Sequence, residues 1–284
     1  MIALTDDDIT DAILHLPTLP SIVIELIHTL DIDDVDTNTL AHKISQDQAL
    51  TANVLGLANS SFYGMQSHVG SIPHAVSVLG FNSVRALVTA TVLVQTLSSD
   101  PSSGLDYTEF WKHAIATALS ARTIAKYIGL NPDHAFIVGL LHNVGRLVLA
   151  TYSPVRYQEV LRWRSSNNTD LSTAEVQILG IDQKTVGRAV LKHWKFPPSI
   201  VDTLNTSNEN FINEHQRAAS LAAVADAIAY GLDVSAAEHD RVPVISSADW
   251  ELLKLQEPAL IAIFNTIETQ FKEACMILGA SPNK

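Results

Sequence analysis

Apolar residues recur every three to four positions along almost the whole chain, and polar, Pro- or Gly-containing breaks separate the runs. A short helix capped by Thr5 or Asp6 runs to His15, and Leu16-Pro-Thr-Leu-Pro20 forces an extended entry to the next. Ser21–Leu30 turns Ile22, Leu26, Ile27 and Leu30 inward. Thr37 opens a helix with Leu40 and Ile44 on one face, and Asp47 opens another with Leu50, Val54, Leu55 and Ala58. Ser71-Ile-Pro73 starts a short helix ending at Gly80, and Asn82 caps a long one to Leu97. Tyr107–Ile128 carries Phe110, Ala114, Ile115, Ala118, Ala121 and Ala125 as a stripe and stops at Gly129. Asn131-Pro132 starts a helix that the pattern carries through His142 to about Thr151. Further helices begin at Ser153-Pro154, at Ser172 or Thr173, at Gln183 behind the cap Asp182, at Asn213 (to Tyr230) and at Pro258 (to Leu278). No stretch alternates as a strand does, so the expected fold class is all-α.

The breaks organise the helices. Ser98-Ser-Asp-Pro-Ser-Ser-Gly104 is almost free of apolar character and marks a join between two helical units, residues 1–100 and 101–284. The loop Asn59–Ser71 holds Phe62, Tyr63 and Met65, aromatics and a thioether expected to fix it to the core. Asp31–Asp36 has the look of a calcium loop but lacks its Gly and Glu: counting from Asp31, Asp36 and His42 stand at the sixth and twelfth positions, so a helix-capping turn is expected.

Composition narrows the function. With 47% hydrophobic and 17% charged residues the chain is globular. Its formal net charge of −12 disfavours a nucleic acid or an anionic membrane surface as partner, because both are held by Lys and Arg. The single Cys275 sits in an apolar helical pattern and reads as buried filler. The N-terminus lacks a signal-peptide pattern, and Arg85, His142–Arg146 and Asp226 interrupt the longest apolar runs, so a cytoplasmic location is expected.

Four polar residues stand in apolar helical surroundings: His113, His142, Asn143 and Asp226. Such groups must be hydrogen-bonded or ligate something. The tight turn after Gly129 makes the helices of His113 and His142 antiparallel neighbours, with the histidines roughly 22 and 15 Å from it at about 1.5 Å per residue. That offset of about one turn lets long side chains converge, but periodicity alone does not bring them into one site.

The order His113, the pair His142-Asn143, then Asp226 resembles the metal-binding pattern of the HD superfamily of phosphohydrolases, in which a lone His, a His-Asp pair and a late Asp ligate divalent metal. Gly139-Leu-Leu-His-Asn-Val-Gly-Arg-Leu-Val matches the central motif except at the Asp. Leu16-Pro-Thr-Leu-Pro20, Asn59-Ser-Ser-Phe-Tyr-Gly64, Ile72-Pro-His-Ala-Val-Ser-Val-Leu-Gly-Phe81, Phe110-Trp-Lys-His113 and Leu179-Gly-Ile-Asp-Gln-Lys-Thr-Val-Gly187 resemble the HDOD domain, the HD-related output domain of bacterial signalling proteins, over about residues 10–230. The resemblance implies an all-α protein, an N-terminal helical bundle packed on an HD-like helical subdomain, with a signalling or regulatory role.

The chain departs from a working HD site. Asn143 replaces the carboxylate and brings no charge for a hard cation. Gln183 stands where many relatives carry His, with His193 later on the same helix, and Arg146 replaces a Lys. The expectation is a non-catalytic module acting on a signalling partner protein, with no cofactor, in which His113, His142, Asn143 and Asp226 form a polar network left from a metal site. The alternative is a metal-dependent phosphohydrolase or phosphodiesterase of a nucleotide or cyclic dinucleotide. In it His113, His142 and Asp226 hold Fe, Mn, Mg or a similar ion, Asn143 is a weak fourth ligand, and Arg146 steadies the substrate phosphate. A third reading is binding of a small phosphate ligand without hydrolysis. Glu175 reads as a helix-start carboxylate.

Overall fold

A computed structural model describes residues 3–30, 32, 35–60, 63, 68–97, 105–204, 214–232 and 242–280. The described residues form helices and no strand. In chain order they are α1 (Asp6–Leu14), α2 (Ser21–His28), α3 (Thr37–Ser45), α4 (Gln48–Ala58), α5 (Ile72–Leu79), α6 (Phe81–Thr96), α7 (Tyr107–Ile128) and α8 (Pro132–Leu141). Then follow α9 (Val144–Tyr152), α10 (Pro154–Asn167), α11 (Leu171–Leu179), α12 (Gln183–His193), α13 (Pro198–Val201), α14 (Glu214–Gly231), α15 (Ser247–Leu253) and α16 (Glu257–Leu278).

Capping explains where most of them begin. Thr5 and Asp8 form a capping box at α1. Asp36, Asp47, Ser71, Asp106, Asn131 and Asp182 accept backbone N–H bonds at the starts of α3, α4, α5, α7, α8 and α12. Asp36 thus caps a helix, as expected of the acidic turn. Gly129 ends α7 in the left-handed region at φ 73°.

The structure corrects several expected boundaries. Asn82 does not cap α6: Gly80 holds the cap position, and Asn82, inside the first turn, accepts from the Arg85 guanidinium instead. Asp170 opens α11 rather than Ser172 or Thr173, because its carboxylate takes both the N–H and the hydroxyl of Thr173. Helix α15, capped by Ser246, has a single buried apolar residue, Leu253, and so left no periodic signal. The segment 98–104 and the loop residues Phe62 and Met65 lie outside the described residues. Tyr63 is fixed as expected, with the Arg122 guanidinium 4.4 Å from its ring centre.

Helix α6 is buried on nearly every side, against α2, α4 and α5 on one flank and α8 on the other. One hydrophobic core runs from α1–α6 through α7–α12, and a second lies between α7, α14, α15 and α16. α16 spans the two groups of helices, packing on α7, α4 and α6, while α1 packs on α9 and α12. Pro132–Tyr152 has the length and composition of a membrane span, but 78% of it is buried inside the protein, as a core segment is. Cys275 is buried, and burial pushes its thiol up to about 12.

Candidate functional site

The expected helix through His142 breaks at the His-Asn pair. α8 ends at Leu141, Asn143 leaves helical geometry at φ −111° and ψ 16°, and α9 begins at Val144. The His142 ring bends back so that Nδ1 lies 2.7 Å from the Gly139 carbonyl. A carbonyl only accepts, so Nδ1 carries a proton and Nε2 is the end that faces the site.

There the three helices meet. His142 Nε2 is 2.9 Å from Asp226 Oδ1 on α14, and His113 Nε2 on α7 is 2.7 Å from the same oxygen. The imidazole centres are 5.6 Å apart. The one-turn offset read from the sequence is therefore closed by side-chain reach. Thr117, one turn after His113, places its hydroxyl 3.5 Å from His113 Nε2, and Tyr230, one turn after Asp226, lies against the His113 ring at 4.0 Å. Sequence reasoning missed both. Their signal was the four-residue spacing from a site residue, which puts them on the same helix face.

Burial alone would raise the Asp226 carboxyl. The charge of His142 and the hydrogen bonds from His113 and His142 outweigh it and hold the group well below the ordinary carboxylate range. His113 is lowered, chiefly by burial, against the pull of Asp226. Its Nδ1 is buried and has no hydrogen-bond partner among the described residues. With His142 Nδ1 protonated toward Gly139, a neutral ring would point its Nε2 lone pair at an ionised carboxylate. A proton or a cation between the ring and the carboxylate relieves that contact.

The donor set suits either. The three ligand atoms lie within 4.8 Å of one another, and among the described residues no other His, Cys, Asp or Glu joins them. Donors held at about 2.1 Å by one ion sit roughly 3.0–3.4 Å apart, a few tenths of an ångström wider than the hydrogen-bond separations seen here. Two imidazoles and one carboxylate fit a single transition-metal ion better than the all-oxygen shell that Mg²⁺ prefers. The His142 bond to a backbone carbonyl is the outer-shell support such ligands usually have.

The remaining sequence candidates take other places. Asn143 makes no side-chain cap, and its carbonyl accepts from the Arg146 N–H. Arg146 is half-buried, and its charge acts on both His113 and Glu175. Gln183 gives its backbone N–H to Glu175, and its buried side-chain oxygen has no partner among the described residues. His193 lies exposed in the last turn of α12 and does not join the residues that converge on Asp226. Glu175 does serve a helix start, but that of α12, not its own, and it is fully buried.

The family model for the HDOD domain matches residues 16–210. A candidate phosphohydrolase from Shewanella amazonensis is 27% identical, with a TM-score of 0.76 over 95% of this chain and 98% of that one. An HDOD domain protein of unknown function from Geobacter sulfurreducens is 26% identical, with a TM-score of 0.68 over 96% and 93%. A candidate signal-transduction protein from Marinobacter aquaeolei is 25% identical, with a TM-score of 0.74, over 96% of this chain and 65% of that one. An uncharacterised Treponema pallidum protein is 27% identical over 199 residues, and the match spans only 38% of that relative's length. The helices that carry the His113–His142–Asp226 cluster thus lie in a fold shared along nearly its whole length with these proteins, and the chain belongs to the HDOD domain family.

Proposed function

We propose that this chain is a regulatory module of HDOD type that works through contact with a signalling partner protein and does not hydrolyse a substrate at its HD-like position. Asn143 carries this reading. Where the HD pattern needs a second carboxylate the chain has a neutral amide, so the described cluster offers one negative charge and three donor atoms. Gln183, at a position where the pattern often has His, supports it too. So does the similarity to the Marinobacter candidate signal-transduction protein. A cytoplasmic location belongs to the same proposal, from the single buried thiol.

The second reading, a metal-dependent phosphohydrolase, is favoured by one observation: His113, His142 and Asp226 do converge. A metal there would supply Lewis acidity and an activated water, and Arg146 would stand by for a phosphate. Elemental analysis of protein purified without added metal, followed by assays on nucleotides and cyclic dinucleotides with Mn²⁺, Fe²⁺ or Mg²⁺ supplied, separates the two. The proposal expects substoichiometric metal and background hydrolysis. One bound ion per chain with turnover that Asp226→Asn abolishes would overturn it.

A further inference from the structure

A cleft of about 200 Å³ lies between the second half of α7 and α16, with Arg122 and Lys126 of α7 and Gln270 of α16 in its wall. None of His113, His142, Asn143 or Asp226 lines it. Helix α16 also lies beyond residues 16–210, the part of the chain that the family model matches. Among the described residues, the wall holds two cations and no Asp or Glu.

The two cations are one helical turn apart, so their charged ends can meet on one group. Arg122 is held in place. Its side chain is 11% exposed, its guanidinium lies 4.4 Å from the Tyr63 ring centre, and Nη2 is 3.3 Å from Asp133 Oδ1. Lys126 is exposed and makes no hydrogen bond or ion pair among the described residues. The carboxyl end of α7, where a cation is favoured, is met by Arg217, which donates to the Ile128 carbonyl at 2.8 Å.

The charge balance is short of one negative group. Asp133 acts on both Arg122 and Lys126, and its other oxygen takes the Ser83 hydroxyl at 2.8 Å. One carboxylate thus faces two cations, in a chain whose formal net charge is −12. Burial, and then the Arg122 charge, lower the Lys126 ammonium against the pull of Asp133. One further negative charge in the cleft would relieve both cations. The rest of the wall suits a small carbon body: Leu119 and Ala262 are apolar, and the Gln270 amide makes no hydrogen bond among the described residues. The Thr123 and Thr266 hydroxyls donate to the Leu119 and Ala262 carbonyls at 2.9 and 2.7 Å, so any further bond they make is as acceptors.

We propose that this cleft binds a small organic monocarboxylate, its oxygens between Arg122 and Lys126 and its carbon body against Leu119 and Ala262. A single charge completes the balance where a phosphate dianion would exceed it, and the planar guanidinium matches a carboxylate. The site is separate from the cluster at His142 and does not rest on the regulatory reading.

Calorimetric titration of the full chain at low salt, with propionate and L-lactate as probes and propionamide as the neutral control, tests the assignment. Lys126→Met keeps the aliphatic stem and removes the charge of a residue that pairs with nothing, so the fold holds, as an equal melting temperature would show. Ala262→Leu fills the cleft and leaves both charges. Lys272→Met removes an exposed charge of α16 that lies outside the wall. The expected result is millimolar or tighter binding of at least one carboxylate and none of propionamide. That binding should weaken roughly tenfold or more in Lys126→Met and in Ala262→Leu and stay unchanged in Lys272→Met. Absence of binding by both carboxylates at roughly ten millimolar overturns the proposal. So does propionamide binding as tightly, or binding that either cleft variant retains. An equal loss in Lys272→Met also overturns it, since the anion would then be answering the net charge and not the cleft.

Discussion

Glu175 gives the protein a pH dependence opposite in sign to that of an ordinary salt-bridged carboxylate. The side chain is 0% exposed. Its Oε2 accepts the first N–H of α12, from Gln183, at 2.8 Å, and its Oε1 accepts the Tyr157 hydroxyl at 3.3 Å. Burial pushes the carboxyl up from the ordinary 4.5 to about 7, against the lowering by the Gln183 N–H and the Arg146 charge. The folded chain therefore holds a proton that the unfolded chain releases between these values, and stability falls as pH rises through that window. The full contribution, present below the unfolded value and gone above the folded one, is about 3 kcal/mol. Between about pH 5 and about pH 8 the loss is about 2.5 kcal/mol. Glu175→Gln keeps an oxygen for the Gln183 N–H and puts an amide donor against the Tyr157 oxygen, so it packs alike and cannot ionise. Urea unfolding of both proteins across this range isolates the effect from every other titrating group. The variant should gain on the wild type by about 2.5 kcal/mol from the acid end to the alkaline end. Parallel stability profiles would refute the buried, proton-holding carboxyl.

Three further outcomes follow from the site and its packing. Asp226→Asn leaves two imidazoles facing a neutral amide and should cost about 3 kcal/mol in urea unfolding near neutral pH; the wild-type advantage should shrink as pH falls below the unfolded carboxyl's range, since the folded group is held lower. Gly145→Ala should destabilise by about 3 kcal/mol or more, because a Cβ there would meet the Gln183 carbonyl oxygen and the Gly187 nitrogen, backbone atoms of α12 that cannot swing aside. Asn143→Asp should raise the affinity for Mn²⁺ or Zn²⁺ in calorimetry by restoring a charged oxygen; an unchanged affinity would mean that residue 143 does not face the cluster.

Much of this fold was legible because its signals are local. Period, caps and glycine stops depend on neighbours within four residues, and so α7, α4 and α12 stand where Asp106, Asp47 and Asp182 put them. What was not legible depends on distant parts of the chain. Asn82 looks like a cap until Arg85, itself drawn to the α2 carboxyl end at Thr29, claims its oxygen. The break at His142 is invisible to periodicity because apolar residues continue on both sides of it, and it coincides with contacts of the ring to the Gly139 carbonyl and to Asp226 on α14. The convergence of the cluster belongs to the same class: it needs the crossing of α7, α8 and α14, which no local pattern encodes.

Charge balance connects Asn143 to the rest of the site. In the present cluster one oxygen of the Asp226 carboxylate lies within hydrogen-bond distance of both His113 Nε2 and His142 Nε2. Three helices are thus joined at one buried carboxylate oxygen. The Asp that the HD pattern has at 143 would add a second negative charge next to His142 in the chain. Each uncompensated buried charge costs several kcal/mol, so such a site calls for a divalent cation to be stable. On the regulatory reading proposed above, the amide at 143 removes a charge that a metal would otherwise have to balance.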